Sequence, residues 1–136
     1  MDLDIVKNTL KECELFEGLD MSQMGLLVIS ANSRELSAGE TVYARGDDSG
    51  GTFALIVSGK ISVIAQNGLV LKELGDGEII GEVGVITQQD KRTVTVKTIE
   101  PTEILEWHVK DIEEGSQELL KRLKDLAWKR MKYWNE

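Results

Sequence analysis

A glutamate and an arginine lie ten residues apart in the stretch GEIIGEVGVITQQDKRTVTV, which covers residues 77–96. Glycines at positions 77, 81 and 84 allow a ligand to approach the backbone closely. Arg92 offers a planar fork of donors that suits a phosphate, and Glu82 offers an acceptor for the hydroxyl groups of a sugar. A short helical turn at GEVGVI would present unpaired backbone N–H groups at its start, which can bind an anion. If Arg92 returns on a strand that faces this turn, these residues form a pocket for a phosphorylated sugar.

The same residues also have a purely structural interpretation. A lone glutamate and a nearby arginine usually form a solvated or half-buried ion pair, and a glycine-rich turn is usually only a turn. Thr93, which follows the arginine, is most often simply a good strand former. The spacing alone leaves both interpretations open.

The composition restricts the class of protein. The chain has 136 residues, of which 41% are hydrophobic and 29% charged, values that are typical of one globular domain. Cys13 is the only cysteine and His108 the only histidine, so we expect no intramolecular disulfide, no clustered metal site and no enzymatic activity. We expect Cys13 to be a small buried residue.

Charge and hydropathy indicate the cellular location of the protein and the partners that it does not bind. No apolar run approaches the roughly 18 residues of a membrane span, and the charged N-terminal segment does not resemble a signal peptide, so we expect a cytoplasmic protein without membrane contact. The net charge of −8 argues against nucleic-acid binding. Residues 116–136 differ from the rest, because they hold 6 basic and 3 acidic residues; we interpret the basic ones as a solvated face: Lys121, Arg122, Lys124, Lys129, Arg130 and Lys132.

The pattern of elements predicts one domain, residues 1–136, in three parts. Residues 1–33 are predicted to form helices, one over Asp4–Phe16 and one capped by Asp20 or Ser22. Residues 34–108 contain short apolar runs separated by glycine turns, a cadence typical of an antiparallel β jelly roll, also called a double-stranded β-helix. The clearest hairpin has Asn67-Gly68 at its turn. The predicted fold class is therefore mainly β with flanking N-terminal and C-terminal helices.

Residues 109–136 are predicted to form a C-terminal helical segment, with Ser116 capping its last helix. Leu119, Leu123 and Leu126 lie near one face of this helix. They form either part of the core or the seam of a homodimer or of a complex with a partner protein.

Residues 77–96 resemble the phosphate-binding cassette of the cyclic nucleotide-binding domain family, to which the catabolite activator protein and the regulatory subunits of cAMP-dependent kinase belong. The family pattern has Phe-Gly-Glu, a spacer, and then Pro-Arg with a small residue; this chain has Ile80-Gly81-Glu82 and Lys91-Arg92-Thr93. Upstream, LSAGETVYARGDDSGGTFALIVSGKISVI is similar to the family's Gly-Glu, Gly-Asp and Ser-Gly-Lys segments.

The resemblance implies a role for each matching residue. Glu82 would accept the ribose 2′-hydroxyl, Arg92 would pair with the exocyclic phosphate, and Thr93 would add a hydroxyl to that phosphate. The backbone at Gly81 and Val83 would line the pocket. Two residues late in the last helix would cover the base or, alternatively, serve as packing residues: Tyr133 and Trp134.

The resemblance therefore implies a regulatory domain in signal transduction that binds a cyclic nucleotide, cAMP in preference to cGMP, and needs no other cofactor. Ligand occupancy would be relayed through the C-terminal helix to a partner protein or a second copy. The alternative is a relative that no longer responds to a ligand and acts as a protein-interaction or dimerisation module. The segment Ile112–Ser116 favours this alternative, because it is shorter than the family's hinge.

Overall fold

Two four-stranded antiparallel sheets form the middle of the chain in a computed structural model, which describes residues 2–86 and 91–134, with backbone alone at 85, 86, 114, 115 and 132–134. In the described part of the chain, the strands are β1 (Asn32–Leu36), β2 (Thr41–Tyr43), β3 (Thr52–Ser58), β4 (Lys60–Ile64), β5 (Val70–Gly75), β6 (Ile79–Ile80), β7 (Thr95–Thr98) and β8 (Thr102–His108). One sheet has the order β1-β8-β3-β6 and the other β2-β7-β4-β5. This arrangement confirms the predicted jelly roll.

The helices lie before, within and after the sheets. In the described part they are α1 (Leu3–Glu12), α2 (Met21–Ser30), α3 (Glu82–Ile86), α4 (Val109–Gly115) and α5 (Gln117–Trp134). None of them combines the length and the apolar character that a membrane span requires. Helix α3 is the short turn that the glycine-rich stretch predicts, and it directly follows β6.

Strand β3 has a continuous apolar run because its sheet is covered on both faces. Successive side chains of a strand point to opposite faces. Phe53, Leu55 and Val57 therefore join a cluster with the N-terminal helices and α5, whereas Ala54 and Ile56 pack between the two sheets. The first sheet is thus the layer that separates two apolar cores.

The N-terminal helices begin and end close to their predicted bounds. Asp20 caps α2 through a reciprocal pair of hydrogen bonds with Gln23, of 2.8 and 3.0 Å, so Asp20 and not Ser22 is the cap. Helix α1 ends at Glu12, four residues before the predicted end, because Cys13 is extended and the chain continues as a 3-10 turn over Glu14–Phe16. Cys13 is buried, as predicted.

The turns and the end of the chain follow the sequence pattern with two differences. Strands β4 and β5 form the predicted hairpin, with Gly68 at a φ of 85°. Strand β1 begins at Asn32, two residues before the predicted start of the β-roll. Helix α4 occupies the segment that the sequence suggested to be a hinge, and Ser116 bonds the backbone N–H of Leu119 at 3.3 Å at the start of α5.

The last helix packs against its own domain. Leu119 is 5% exposed and Leu123 fully buried, and both belong to the core cluster shared with the N-terminal helices. Leu126 packs against the same cluster. Leu119 and Leu123 are therefore part of the core, the first of the two predicted alternatives, and Leu126 is partly buried against it.

Candidate functional site

A pocket lies where α3, the segment before β7 and α5 meet. Its volume, with the open mouth included, is about 320 Å³. Aliphatic side chains of the second sheet form one wall, and the polar lining comes from Gly81, Glu82, Arg92, Thr93 and Arg130 together with Tyr43. The fold thus brings residues of the glycine-rich stretch together with residues from distant parts of the chain.

Glu82 is the first residue of α3, and its side chain is almost completely buried, with 1% exposure. Its Oε1 accepts a hydrogen bond of 2.6 Å from Nη1 of Arg130 on α5. The same nitrogen also donates to the backbone oxygen of Ile79. The burial of a carboxylate at this position is therefore supported by a charged partner on another element.

The second oxygen of Glu82 has a different environment. Oε2 of Glu82 and Oγ1 of Thr93 are both buried and have no hydrogen-bond partner within the described ranges. Unpaired buried polar atoms are uncommon in folded proteins because each carries a desolvation cost. Both residues line the pocket, so a ligand in it has an acceptor and a hydroxyl ready for pairing.

Arg92 is 5% exposed and its guanidinium is held by the backbone and by a hydroxyl. Its Nη1 donates to the backbone oxygen of Gly81 at 2.9 Å. Its Nη2 donates to the backbone oxygen of Ser49 at 2.7 Å and to Oγ1 of Thr52 at 2.8 Å. These bonds fix a positive charge at the pocket wall, in a chain whose net charge is negative.

The loop between β2 and β3 supports the backbone at Arg92. The N–H of Arg92 donates to the oxygen of Asp47 at 2.8 Å, and the N–H of Gly46 donates to the oxygen of Arg92 at 2.9 Å. Lys91 forms an ion pair with Asp48, and its hydrogen bond and charge hold the pKa of Asp48 below the usual range. Lys91, at the position where the family has proline, is therefore tied to this loop by its side chain.

Gly81 is a close neighbour of Arg92 and Tyr43. Its φ is 83°, which disfavours other residues, and a Cβ at this position would lie 2.7 Å from the Tyr43 ring and 2.8 Å from Nη1 of Arg92. The glycine therefore permits both the turn and the contact between the arginine and the tyrosine.

The predicted site residues fall into two groups. Gly81, Glu82, Val83, Arg92 and Thr93 all line the one pocket described above. The side chains of Tyr133 and Trp134 lie outside the described residues, so their predicted contact with a base stays a prediction.

Two side chains of the polar lining, those of Arg130 and Tyr43, were not predicted from the sequence. Arg130 belongs to the basic run that was interpreted as a solvated face. That interpretation is wrong for Arg130, which bonds Glu82. It is also wrong for Arg122, which donates to the backbone oxygens of Leu15 and Glu17 at 3.2 and 2.6 Å. Tyr43 ends a short strand, and no motif in the sequence around it indicates a binding site. Neither residue had a signal in spacing that distinguished it from its neighbours.

The donor set of the pocket suits an organic anion better than a metal. Within the described ranges, no group of three or more histidine, cysteine, aspartate or glutamate side chains is placed to hold a metal ion. The pocket instead combines an arginine, a carboxylate, a hydroxyl and aliphatic side chains, which can receive a phosphate, a sugar and an apolar ring. Fold and site together define a β-roll domain with a pocket that suits an organic anion.

A family model described as the cyclic nucleotide-binding domain matches residues 33–118. The chain belongs to the cyclic nucleotide-binding domain family, as the resemblance of its glycine-rich stretch predicted. Members of this family are regulatory domains, so the predicted regulatory class is confirmed at this level.

The chain is also similar to individual relatives. It is 28% identical over 106 residues to the CRP-like protein Clp of Xanthomonas oryzae pv. oryzae (strain PXO99A), which covers 75% of this chain and 46% of that protein. The chain thus spans about half the length of the curated relatives that it matches.

Solved structures confirm the fold. The regulatory domain of Toxoplasma gondii PKA with cAMP superimposes with a TM-score of 0.69 at 21% identity, over 97% of this chain and 48% of that one. The c-di-GMP responsive global regulator CLP of Xanthomonas campestris has a TM-score of 0.67 at 23% identity, over 85% of this chain and 61% of that one.

Proposed function

We propose that this chain is a sensor domain that binds a cyclic purine nucleotide, cAMP in preference to cGMP, in the pocket lined by Glu82, Arg92 and Thr93. The observation that carries the proposal is the pair of buried oxygens without a described partner, Oε2 of Glu82 and Oγ1 of Thr93, in one pocket with a buried arginine. A ribose hydroxyl can donate to the first, and the second can donate to a phosphate oxygen. Arg92 supplies the charge that a phosphate requires.

The proposal includes a route for relaying ligand occupancy. Arg130 on α5 bonds the same carboxylate that would receive the ribose hydroxyl. A ligand that changes the hydrogen bonding of Glu82 would therefore change how α5 is held. A ligand shifts a conformational equilibrium only when it interacts differently with the two states, and this contact would provide such a difference. The helix would pass the change to a partner protein or to a second copy.

The test is calorimetric titration of the purified chain with cAMP, cGMP and c-di-GMP. The third nucleotide is included because the X. campestris relative is c-di-GMP responsive. We expect saturable binding of one cyclic mononucleotide, and loss of that binding in Arg92→Ala, because this change removes the arginine that would pair with the phosphate. Glu82→Ala should weaken binding less, because the hydrogen bond from a ribose hydroxyl contributes less than a charged pair.

The matched control is Arg45→Ala, which removes an exposed arginine from the neighbouring loop without touching the pocket. This variant should bind as the wild type does. Circular dichroism and thermal unfolding of Arg92→Ala check that its fold persists. Binding of equal strength by Arg92→Ala and the wild type would contradict the assigned phosphate site.

The alternative function, a protein-interaction or dimerisation module, has one supporting observation. Trp128 on α5 is 71% exposed, although a large aromatic side chain is costly to leave in water. If the wild type binds none of the three nucleotides, this exposed face of α5 becomes the first place to test for a protein partner, by sedimentation of the wild type and Trp128→Ala.

A further inference from the structure

Tyr43 at the end of β2 lies directly against the guanidinium of Arg92. The Cζ atom of Arg92 is 3.6 Å from the centroid of the ring, well within the distance of a cation–π contact. The ring is 7% exposed, so water screens the contact little. The hydrogen bonds of the guanidinium to Gly81, Ser49 and Thr52 and the ring against it together restrict the side chain.

The phenol of Tyr43 is itself anchored. Its hydroxyl donates to Oε2 of Glu106 on β8 at 2.8 Å, and Oε1 of Glu106 accepts from Nη1 of Arg34 on β1 at 3.1 Å. Burial of the ring, followed by the negative charge of Glu106, raises the pKa of Tyr43 above its usual range. The raised pKa is consistent with a protonated hydroxyl that donates to Glu106.

This anchoring favours the contact with Arg92 in two ways. A phenol that donates to a carboxylate carries more electron density on its ring, and a more negative ring face attracts a cation more strongly. The bond to Glu106 also holds the phenol end of the ring in place, and the burial of Tyr43 keeps the ring face toward the arginine. Glu106 thus acts on Arg92 through Tyr43, without direct contact being needed.

We propose that Tyr43, held by Glu106, is a positioning residue that fixes the guanidinium of Arg92 for the phosphate of the ligand. This inference rests on the proposed function of the pocket. A free arginine has many rotamers, and ordering it during binding would oppose affinity. Stacking on Tyr43 orders the side chain before the ligand arrives, so the ligand gains the full ionic contact.

The first part of the test measures the stacking without any ligand. In ¹⁵N-labelled protein, the side-chain N–H protons of Arg92 should show an upfield ring-current shift, which Tyr43→Phe retains and Tyr43→Leu loses. Arg92→Lys assigns the resonance. Leu36→Ala is the matched control, because Leu36 is buried in the same core cluster but does not line the pocket. Equal shifts in Tyr43→Leu and the wild type would overturn the proposal.

The second part measures affinity for whichever of cAMP, cGMP and c-di-GMP the wild type binds. Tyr43→Leu should bind about 3-fold to 10-fold more weakly, the range expected when one arginine side chain has to be ordered during binding. Tyr43→Phe, which keeps the ring, and Glu106→Gln, which keeps an acceptor without its charge, should each lose less. Leu36→Ala should bind as the wild type does at a temperature where both are folded.

The outcomes separate this inference from the proposed function. If the wild type binds a nucleotide and Tyr43→Leu binds it equally well, the positioning role is wrong and the proposed function stands. If the wild type binds none of the three, the proposed function is wrong and the positioning role falls with it. A larger loss in Tyr43→Leu than in Glu106→Gln, with Leu36→Ala equal to the wild type, supports both.

Discussion

At the scale of single residues, the pocket is defined by polar groups that the protein itself leaves incompletely paired. Glu82 is buried, with one oxygen on Arg130 and the other without a described partner, and the hydroxyl of Thr93 is in the same condition. In a purely structural ion pair, both groups would be expected to be satisfied by the fold. Their condition is the residue-scale reason to interpret the pocket as a binding site.

Thr93→Val should change stability and affinity in opposite directions. The substitution keeps the shape of the side chain and removes a buried hydroxyl, so the free energy of unfolding of the ligand-free protein should rise by about 1 kcal/mol. Affinity for a cyclic nucleotide should fall about 10-fold, because a hydrogen bond to a charged phosphate is lost. Urea unfolding and calorimetry measure the two effects. A loss of stability would show that the hydroxyl already has a partner in the folded protein.

At the scale of elements, α5 is the helix that closes the site. Arg122 bonds the turn after α1, and Arg130, eight residues further and about 12 Å along the helix, bonds Glu82 and Ile79. Each arginine thus donates to backbone oxygens outside α5, and the two arginines do so at different points along the helix. Helix α5 therefore contacts the pocket through Arg130 and the turn after α1 through Arg122.

Arg130→Met should be strongly destabilising, because it leaves the buried carboxylate of Glu82 without its charged partner. We expect the free energy of unfolding to fall by about 3 kcal/mol. The double variant Glu82→Gln/Arg130→Met should lose less than the sum of the two single variants, because no uncompensated charge remains. Lys129→Met, which removes the adjacent exposed cation, is the control and should leave stability nearly unchanged. Additive losses in urea unfolding would show that the two side chains are not coupled.

At the scale of the whole molecule, two apolar cores share one sheet. The core between the sheets supports the pocket, and the core under the N-terminal helices holds α5. Trp107 belongs to the core under the N-terminal helices, where its ring contacts Phe16 and Phe53. Its Nε1 donates to the backbone oxygen of Leu27 on α2 at 2.8 Å. The helical layers are thus parts of the folded unit, and the leucines of α5 serve its stability.

Leu123→Ala should lower the free energy of unfolding by about 3 kcal/mol, because it creates a cavity at a fully buried position. Trp128→Ala on the same helix should change it by less than about 0.5 kcal/mol, since Trp128 is exposed. Denaturant unfolding measures both, and sedimentation should give the same mass for Leu123→Ala and the wild type while both are folded. A lower mass for Leu123→Ala would return this leucine to an intermolecular seam.

The sequence by itself determined the features that depend on residues close together along the chain. The glycine turns and alternating strands predicted the jelly roll, and the stretch 77–96 contained four residues of the polar lining of the pocket: Gly81, Glu82, Arg92 and Thr93. Local preferences of the backbone and the side-chain period of two are properties of short segments, so they can be read without the fold.

Only the tertiary structure decided which distant residues complete the site. Arg130 lies 48 positions after Glu82 and meets it because α5 packs against α3. Tyr43 meets Arg92 because β2 and β7 pair in one sheet. Charge and periodicity did not distinguish Arg130 from the neighbouring cations of its helix. Contacts between remote residues depend on how the layers pack, and that packing results from the summed burial of many side chains.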